Sequence, residues 1–365
     1  MRVQNLVNLT EVNLSNCEHL TGIPDLSKAK NLERLNLQFC TTLKVVPSSI
    51  QFLEKLVDLD LRSCTSLLSL PRIIKSKYLK ALNLSGCSNL KMYPETTEHV
   101  MYLNFNETAI KELPQSTGHL RRLVALNLRD CKQLGNLPDS ICLLKSIVIV
   151  DVSGCSNVTK FPSIPGNTRY LYLSGTAVEE FPSSVGRFSS LDLSNCGRLK
   201  NLPSTIYELA YLEKLNLSGC SSITEFPNVS CNIKELYLDG TTIEEIPSSI
   251  GCFHKLVELH PRNCTKFEIL PGSICKLKSL QKLNLSGCSH FQRFPGILET
   301  MESLIYLYLD RTGIQKLPSP IRNLKGLCCL ELGNCIYLEG KYLGELRLLE
   351  QDVDLKYLRK LNLSG

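Results

Sequence analysis

Cys252, His254, His260 and Cys264 place two thiols and two imidazoles in one short stretch, the donor types that hold tetrahedral zinc. Taken alone, such a set points to a structural or hydrolytic metal centre. The residues around it argue otherwise. In Leu256-Val257-Glu258-Leu259-His260-Pro261-Arg262-Asn263-Cys264 apolar and polar residues alternate as in a short strand, so His260 faces outward, Cys264 turns inward and His254 precedes the strand. Side chains aimed in different directions do not converge on one ion, and no metal or cofactor is expected. The phosphate loop Gly-x-x-x-x-Gly-Lys-Ser/Thr, Gly-x-Gly-x-x-Gly, His-Glu-x-x-His and Cys-x-x-Cys are all missing. The chain is expected to bind rather than to catalyse.

The element that positions these residues recurs along the whole chain. A phrase Leu-x-x-Leu-x-Leu-x-x-Cys, or a close variant, begins at sixteen positions from Leu9 and Leu32 through Leu327 and Leu358. A unit this small cannot bury its apolar face alone, so neighbouring units must stack. The expected fold is an α/β solenoid: a leucine-rich-repeat horseshoe with a concave parallel β-sheet and irregular or short-helical convex segments. An apolar residue followed by Pro marks each return path, as in Val46-Pro47 and Leu317-Pro318, because proline has no N–H for a sheet ladder. Ser-Ser-Ile often follows, as at 48–50 and 248–250, and its Ile is expected to plug the convex layer.

One repeat domain over 1–365 is expected, with regular repeats over 1–335, an irregular insertion over 336–357 and the start of a further repeat over 358–365. Because the chain stops one residue before the next expected Cys, and the first repeat lacks a polar cap, sequence beyond both ends is expected. A longer rhythm of three repeats lies above the single unit. Repeats ending in Ser-Gly-Cys are followed by ones ending in Thr, at Thr108, Thr176, Thr241 and Thr312.

Eleven of the seventeen cysteines fill the last position of the phrase. A slot that accepts Cys or Thr needs a small buried group with a hydrogen-bonding atom, and reduced thiols of a cytoplasmic chain, with the nucleus as an alternative compartment, are expected there. The 365 residues contain no run of eighteen apolar residues, and Met1 to Asn5 lack a secretion-signal core. Net charge is +6, too mild and dispersed for a nucleic acid or membrane partner.

Three residues per repeat should face outward. Tyr102, Tyr170, Tyr172, Tyr237, Tyr306 and Tyr308 fall there, all in the Thr-type repeats, and Arg62, Arg129, Arg262 and Asp310 share the face. Tyrosine offers large contact area and few rotors to freeze, so these residues are the candidates for protein binding, although tyrosine also suits a strand for its own sake. Ten acidic against seven basic outward positions fit a mixed-charge protein partner.

Leu82-Asn83-Leu84-Ser85-Gly86-Cys87 and Leu236-Tyr237-Leu238-Asp239-Gly240-Thr241, the latter followed by Ile243 to Ile250, resemble the repeat region of plant intracellular nucleotide-binding leucine-rich-repeat immune receptors of the Toll/interleukin-receptor-like class. The resemblance covers nearly the whole chain but only the repeats. It implies recognition of pathogen effectors or of guarded host proteins, and restraint of signalling domains that this sequence does not contain. It implies neither NAD cleavage nor ATP binding here. A substrate adaptor of a ubiquitin-ligase complex is the alternative, and would need an adjoining helical docking segment.

Overall fold

The Leu-x-Leu alternation folds as a strand only three residues long, repeated coil after coil. The computed structural model describes residues 6–92, 94–182, 186–339 and 357–364, which fall into two compact units, Met1–Val178 with Pro182–Phe188 and Glu179–Phe181 with Ser189–Gly365. In the first unit parallel strands follow chain order from Glu11–Asn13 to Tyr170–Tyr172, each residue opposite its repeat counterpart, as Leu35 is opposite Val12 and Leu59. The second unit does the same from Ser190–Asp192 to Lys360–Asn362. This is the expected leucine-rich-repeat solenoid, its strands in open parallel rows. Residues 340–356 of the expected insertion, and Gly365, lie outside the described residues.

The middle residue of each strand and its neighbour two positions on form the interior: Leu35, Leu37, Leu59 and Leu61 are at most 1% exposed. Burying each such leucine contributes roughly 1.5–3 kcal/mol. On the return path Pro47 (φ −66°) leads into a 3₁₀ turn over Ser48–Phe52, which buries Ile50. The same device recurs at Asp139–Leu143, Ser204–Glu208, Ser248–Cys252 and Gly272–Lys276, burying Ile141, Ile206, Ile250 and Ile274. The convex plug expected from the Ser-Ser-Ile phrases is thus present.

The Cys/Thr slot holds the coils together by two different bonds. A slot cysteine reaches back one coil: Cys64 Sγ donates to Leu37 O (3.1 Å), Cys155 to Leu128 O (3.1 Å) and Cys220 to Leu193 O (3.0 Å). A slot threonine bonds within its own coil, Thr108 Oγ1 to Phe105 O (2.8 Å) and Thr241 Oγ1 to Leu238 O (2.8 Å). The next cysteine then reaches that same carbonyl, Cys131 to Phe105 O (3.0 Å) and Cys264 to Leu238 O (3.1 Å). The slot therefore satisfies backbone acceptors, as its Cys-or-Thr composition requires. Burial pushes the Cys64, Cys87 and Cys220 thiols up to about 12, which keeps them protonated donors.

The residue before the slot takes a left-handed conformation, φ +57° at Asn195 and +75° at Gly219, which explains the glycine of Ser-Gly-Cys. Space demands it as well. A Cβ at Gly219 would collide with the Asn195 side chain of the preceding coil, so Asn in one repeat and Gly in the next form a matched pair.

Pro261, which stands where other strands have a core leucine, is expected to disturb its strand. The disturbance is one rung. Glu258 and Leu259 still pair with Lys282 and Leu283, while the third residue pair found between the other neighbouring strands is missing. Pro261 stays buried, and its carbonyl accepts the Cys288 thiol at 2.8 Å.

Candidate protein-binding face

Most strands carry Asn or Asp at the middle outward position, and that side chain is occupied. Its Oδ1 accepts the backbone N–H two residues on: Asn36 from Gln38 (3.1 Å), Asp60 from Arg62 (3.0 Å), Asn127 from Arg129 (3.0 Å), Asp151 from Ser153 (2.9 Å) and Asp192 from Ser194 (2.9 Å). This is an Asx turn closing the strand's exit. Asp60, Asp151 and Asp192, which count as outward acids in the sequence, are therefore structural acceptors.

In the second unit Tyr237, His260, Tyr308 and Glu331 hold that position and cannot close the turn in this way. At His260 a substitute exists, because the Arg262 N–H donates to Asp239 Oδ1 of the preceding strand at 3.0 Å. At Tyr237 and Tyr308 none does: among the described residues the Asp239 and Asp310 N–H groups have no acceptor. Each tyrosine has thus displaced a hydrogen bond of the kind that contributes about 0.5–1.5 kcal/mol.

Around Tyr237 the released space is filled by a polar cluster. The Tyr237 hydroxyl lies 3.0 Å from Glu235 Oε2 and 3.2 Å from Glu258 Oε2. Its ring meets that of His260 at 4.8 Å, and Lys214 Nζ sits over it at 5.0 Å. Lys214 also pairs with Glu235 (2.7 Å), and His260 Nε2 contacts Glu258 Oε2 (3.0 Å). Lys214 holds the Glu235 carboxyl below its usual range, while burial, then the two carboxylates, push the Tyr237 hydroxyl well up. His260 is only 7% exposed, and burial, with the Lys282 ammonium, lowers its imidazole below 6.5. Burial raises the Asp239 carboxyl. The result is a fixed, half-buried aromatic and charged surface suited to contact rather than proton transfer.

A second patch follows at the strands Tyr306–Tyr308, Cys329–Glu331 and Lys360–Asn362. The Tyr306 and Tyr308 rings stack at 6.3 Å with 7° between planes. Lys360 Nζ pairs with the buried Glu331 at 2.6 Å, and Asp310 accepts from the Ser286 hydroxyl and pairs with Arg311 at 3.2 Å.

The remaining candidates stand on the outward faces of their own strands. In the first unit Tyr102 and Tyr170 are exposed and Tyr172 half-buried, Arg62 pairs with Asp60 (3.0 Å) and Arg129 with Asp130 (3.4 Å). In the second, Arg262 is exposed beside the Tyr237 cluster. Among the described residues no group of three or more His, Cys, Asp or Glu could hold a metal ion, and no helix is long and apolar enough to cross a membrane. Sequence reasoning counts Lys214, Glu235, Glu258 and His260 singly, but their linkage was missed; the signal available was their placement on three consecutive strands flanking Tyr237.

A family model described as Disease resistance protein RPS4B-like, leucine-rich repeats, matches residues 76–168. Over 292 residues the chain is 45% identical to Protein SUPPRESSOR OF npr1-1, CONSTITUTIVE 1 of Arabidopsis thaliana, a match covering 73% of this chain and 20% of that protein. These are the leucine-rich repeats of plant disease-resistance proteins. Disease resistance protein RPP5, also of Arabidopsis thaliana, is 37% identical over 276 residues, covering 68% of the chain and 18% of its own length. The chain thus spans about a fifth of the length of these curated relatives. Among solved structures, the Leptospira interrogans leucine-rich-repeat protein LIC12759 superposes with a TM-score of 0.67 over 98% of this chain and 97% of its own, at 22% identity. The functional domain of InlJ from Listeria monocytogenes, described as including a cysteine ladder, gives 0.61 over 90% and 69% at 16% identity. Both likenesses concern fold alone.

Proposed function

We propose that this chain is the non-enzymatic protein-recognition region of an intracellular plant immune receptor of the Toll/interleukin-receptor-like class. It senses a pathogen effector or a guarded host protein through its outward strand face, and restrains signalling domains until that contact occurs. Tyr237 with Lys214, Glu235, Glu258 and His260, and Tyr306 with Tyr308 and Asp310, carry the contact in the second unit; Tyr102, Tyr170, Tyr172, Arg62 and Arg129 supply the face of the first. The observation that carries the reading is that Tyr237 and Tyr308 stand where the repeat otherwise closes its own backbone. A residue that breaks a local structural rule is where function is expected. Half-buried tyrosines held by partners present contact area at little entropic cost.

The test is a receptor carrying these repeats, screened in plant cells against pathogen effectors with Tyr306→Ala/Tyr308→Ala as comparison. An effector or guarded protein that triggers cell death with the parent and not with the variant supports the reading. Failure to engage any effector, guarded protein or receptor domain removes it.

A further inference from the structure

The two residues just before the apolar-Pro pair of each return path form a further column, and its charge changes sign between the two units. In the second unit it holds Glu225, Glu244, Glu245, Glu268 and Ile269, all exposed. They border a groove of about 450 Å³ whose apolar lining includes half-buried Phe226 and the 53% exposed Ile269. Glu245 and Ile269 form a parallel bridge, and the Ile269 N–H donates to Glu244 O at 3.3 Å, so the backbone of this wall is fixed. In the first unit the same column holds Lys44 with Val45, Leu68, Lys91 with Met92, and Lys111, again all exposed, with Glu112 the one acid beside them. Its backbone is built alike: Val45 bridges Ser69, and the Leu68 N–H donates to Lys44 O at 2.9 Å. Val45, Leu68 and Met92 are 48, 55 and 66% exposed, a run of open apolar side chains on three successive coils. Among the described residues neither the four glutamates nor the three lysines enter an ion pair, although other pairs occur in both units.

We propose that the acidic groove of one copy of this chain docks the basic ridge of a second copy, so that the chain self-associates head to tail. Charge complementarity selects this occupant, because the ridge offers unpaired ammonium groups interleaved with apolar side chains where the groove offers unpaired carboxylates around an apolar floor. Spacing agrees. Lys44 and Lys91 stand two coils apart, about 10 Å at ordinary strand spacing, and so do Glu225 and Glu268. Groove and ridge are different surfaces, so the contact is heterologous and leaves one of each free for further copies. The few side chains involved fall short of the roughly 20–30 residues a side of a stable interface, which makes the association weak and concentration-dependent. Its charges are exposed, so it should also be salt-sensitive.

The experiment is sedimentation velocity on the full chain, from micromolar to sub-millimolar concentration, in about 0.1 M and about 1 M salt, where the screening length falls from about 10 Å to about 3 Å. Expected is a weight-average mass that rises with concentration and falls back towards the monomer in high salt. The ridge variant Lys44→Glu/Lys91→Glu and the groove variant Glu244→Lys/Glu268→Lys should each weaken self-association by about tenfold or more, because each sets like charges against like. An equimolar mixture of the two should restore it, since each variant keeps the surface that the other has lost. All four positions are exposed, and unchanged far-UV circular dichroism and urea midpoints show that the variants are folded. A parent that stays monomeric at every concentration overturns the proposal, as does association that neither variant weakens or a mixture that fails to restore it.

Discussion

The outward faces of the two units fill the same strand position in different proportions, Tyr172 being the aromatic exception in the first unit and half of the described strands being exceptions in the second. In the first unit Asn36, Asp60, Asn83, Asn127 and Asp151 turn back on their own strands and close a backbone N–H. In the second, Asp192, Asn216, Asn284 and Asn362 do the same, while Tyr237, His260, Tyr308 and Glu331 give up that closure. Tyr237 reaches Glu258 of the next strand and Lys360 reaches Glu331, whereas His260 and Tyr308 meet Glu258 and Tyr306 of their own strands. Charge pairs in the first unit are exposed, whether between strands as Arg34 with Glu11 or within one coil as Arg62 with Asp60, and surface pairs of this kind contribute about 0–1 kcal/mol. The difference teaches that the polar residues of a repeat face are of two kinds. Some complete their own coil, and others bond to side chains around them instead.

The interior should show no such contrast, and breaking it gives the largest effect. Leu217 is 0% exposed, so Leu217→Asp buries an unpaired carboxylate and should cost about 4 kcal/mol or more, read as loss of the second unit's cooperative transition in urea. A second unit that melts as before would contradict the stacked core.

Next in size is the closing residue itself. Asn127→Ala leaves the Arg129 N–H without its acceptor and should lower stability by about 1 kcal/mol in denaturant titration, whereas an unchanged midpoint would make that closure irrelevant.

Acidification should act on the second face through His260. Its imidazole is surrounded by Tyr237, Glu235, Glu258, Asp239, Lys282 and Lys214, and burial with Lys282 keeps the folded group below the ordinary 6.5. A histidine lowered in the fold binds its proton more readily when unfolded, so its contribution is complete above about 6.5 and is lost as pH falls from there through the folded value. Melting midpoints should drop over that window in the parent, and the drop should shrink in His260→Gln. An equal drop in both would assign the dependence to other groups.

The smallest expected effect on stability is the most diagnostic. Tyr308→Asn restores the Asx acceptor while losing part of the Tyr306 ring contact, so stability should move by about 1 kcal/mol or less. The Asp310 amide should exchange with solvent quickly in the parent and slowly in the variant. Equal rates would mean that this N–H is not open.

How much of this was legible follows from what repeats and what does not. The strands, the return proline, the Ile plug and the Cys/Thr slot recur at fixed spacing, so their burial can be read from periodicity alone. The direction of the slot bonds could not be read, since a thiol reaching Leu37 O and a hydroxyl reaching Phe105 O depend on side-chain length and on the adjacent coil. Asp60 and Asp151 looked like partner-facing charges because a local turn leaves no periodic mark. The frame places Cys264 inward and His254 before the strand, and the structure has Cys264 at 0% exposure and the strand at Glu258–His260.

Tyr237 and Tyr308 are proposed to serve contact where the repeat otherwise closes its own strand exit. Tyr237→Asn/Tyr308→Asn in a receptor carrying these repeats tests it through effector-triggered cell death, with the melting midpoint of the isolated chain as control. Expected are cell death abolished and a chain that still melts cooperatively; cell death intact with the double variant would contradict the proposed contact.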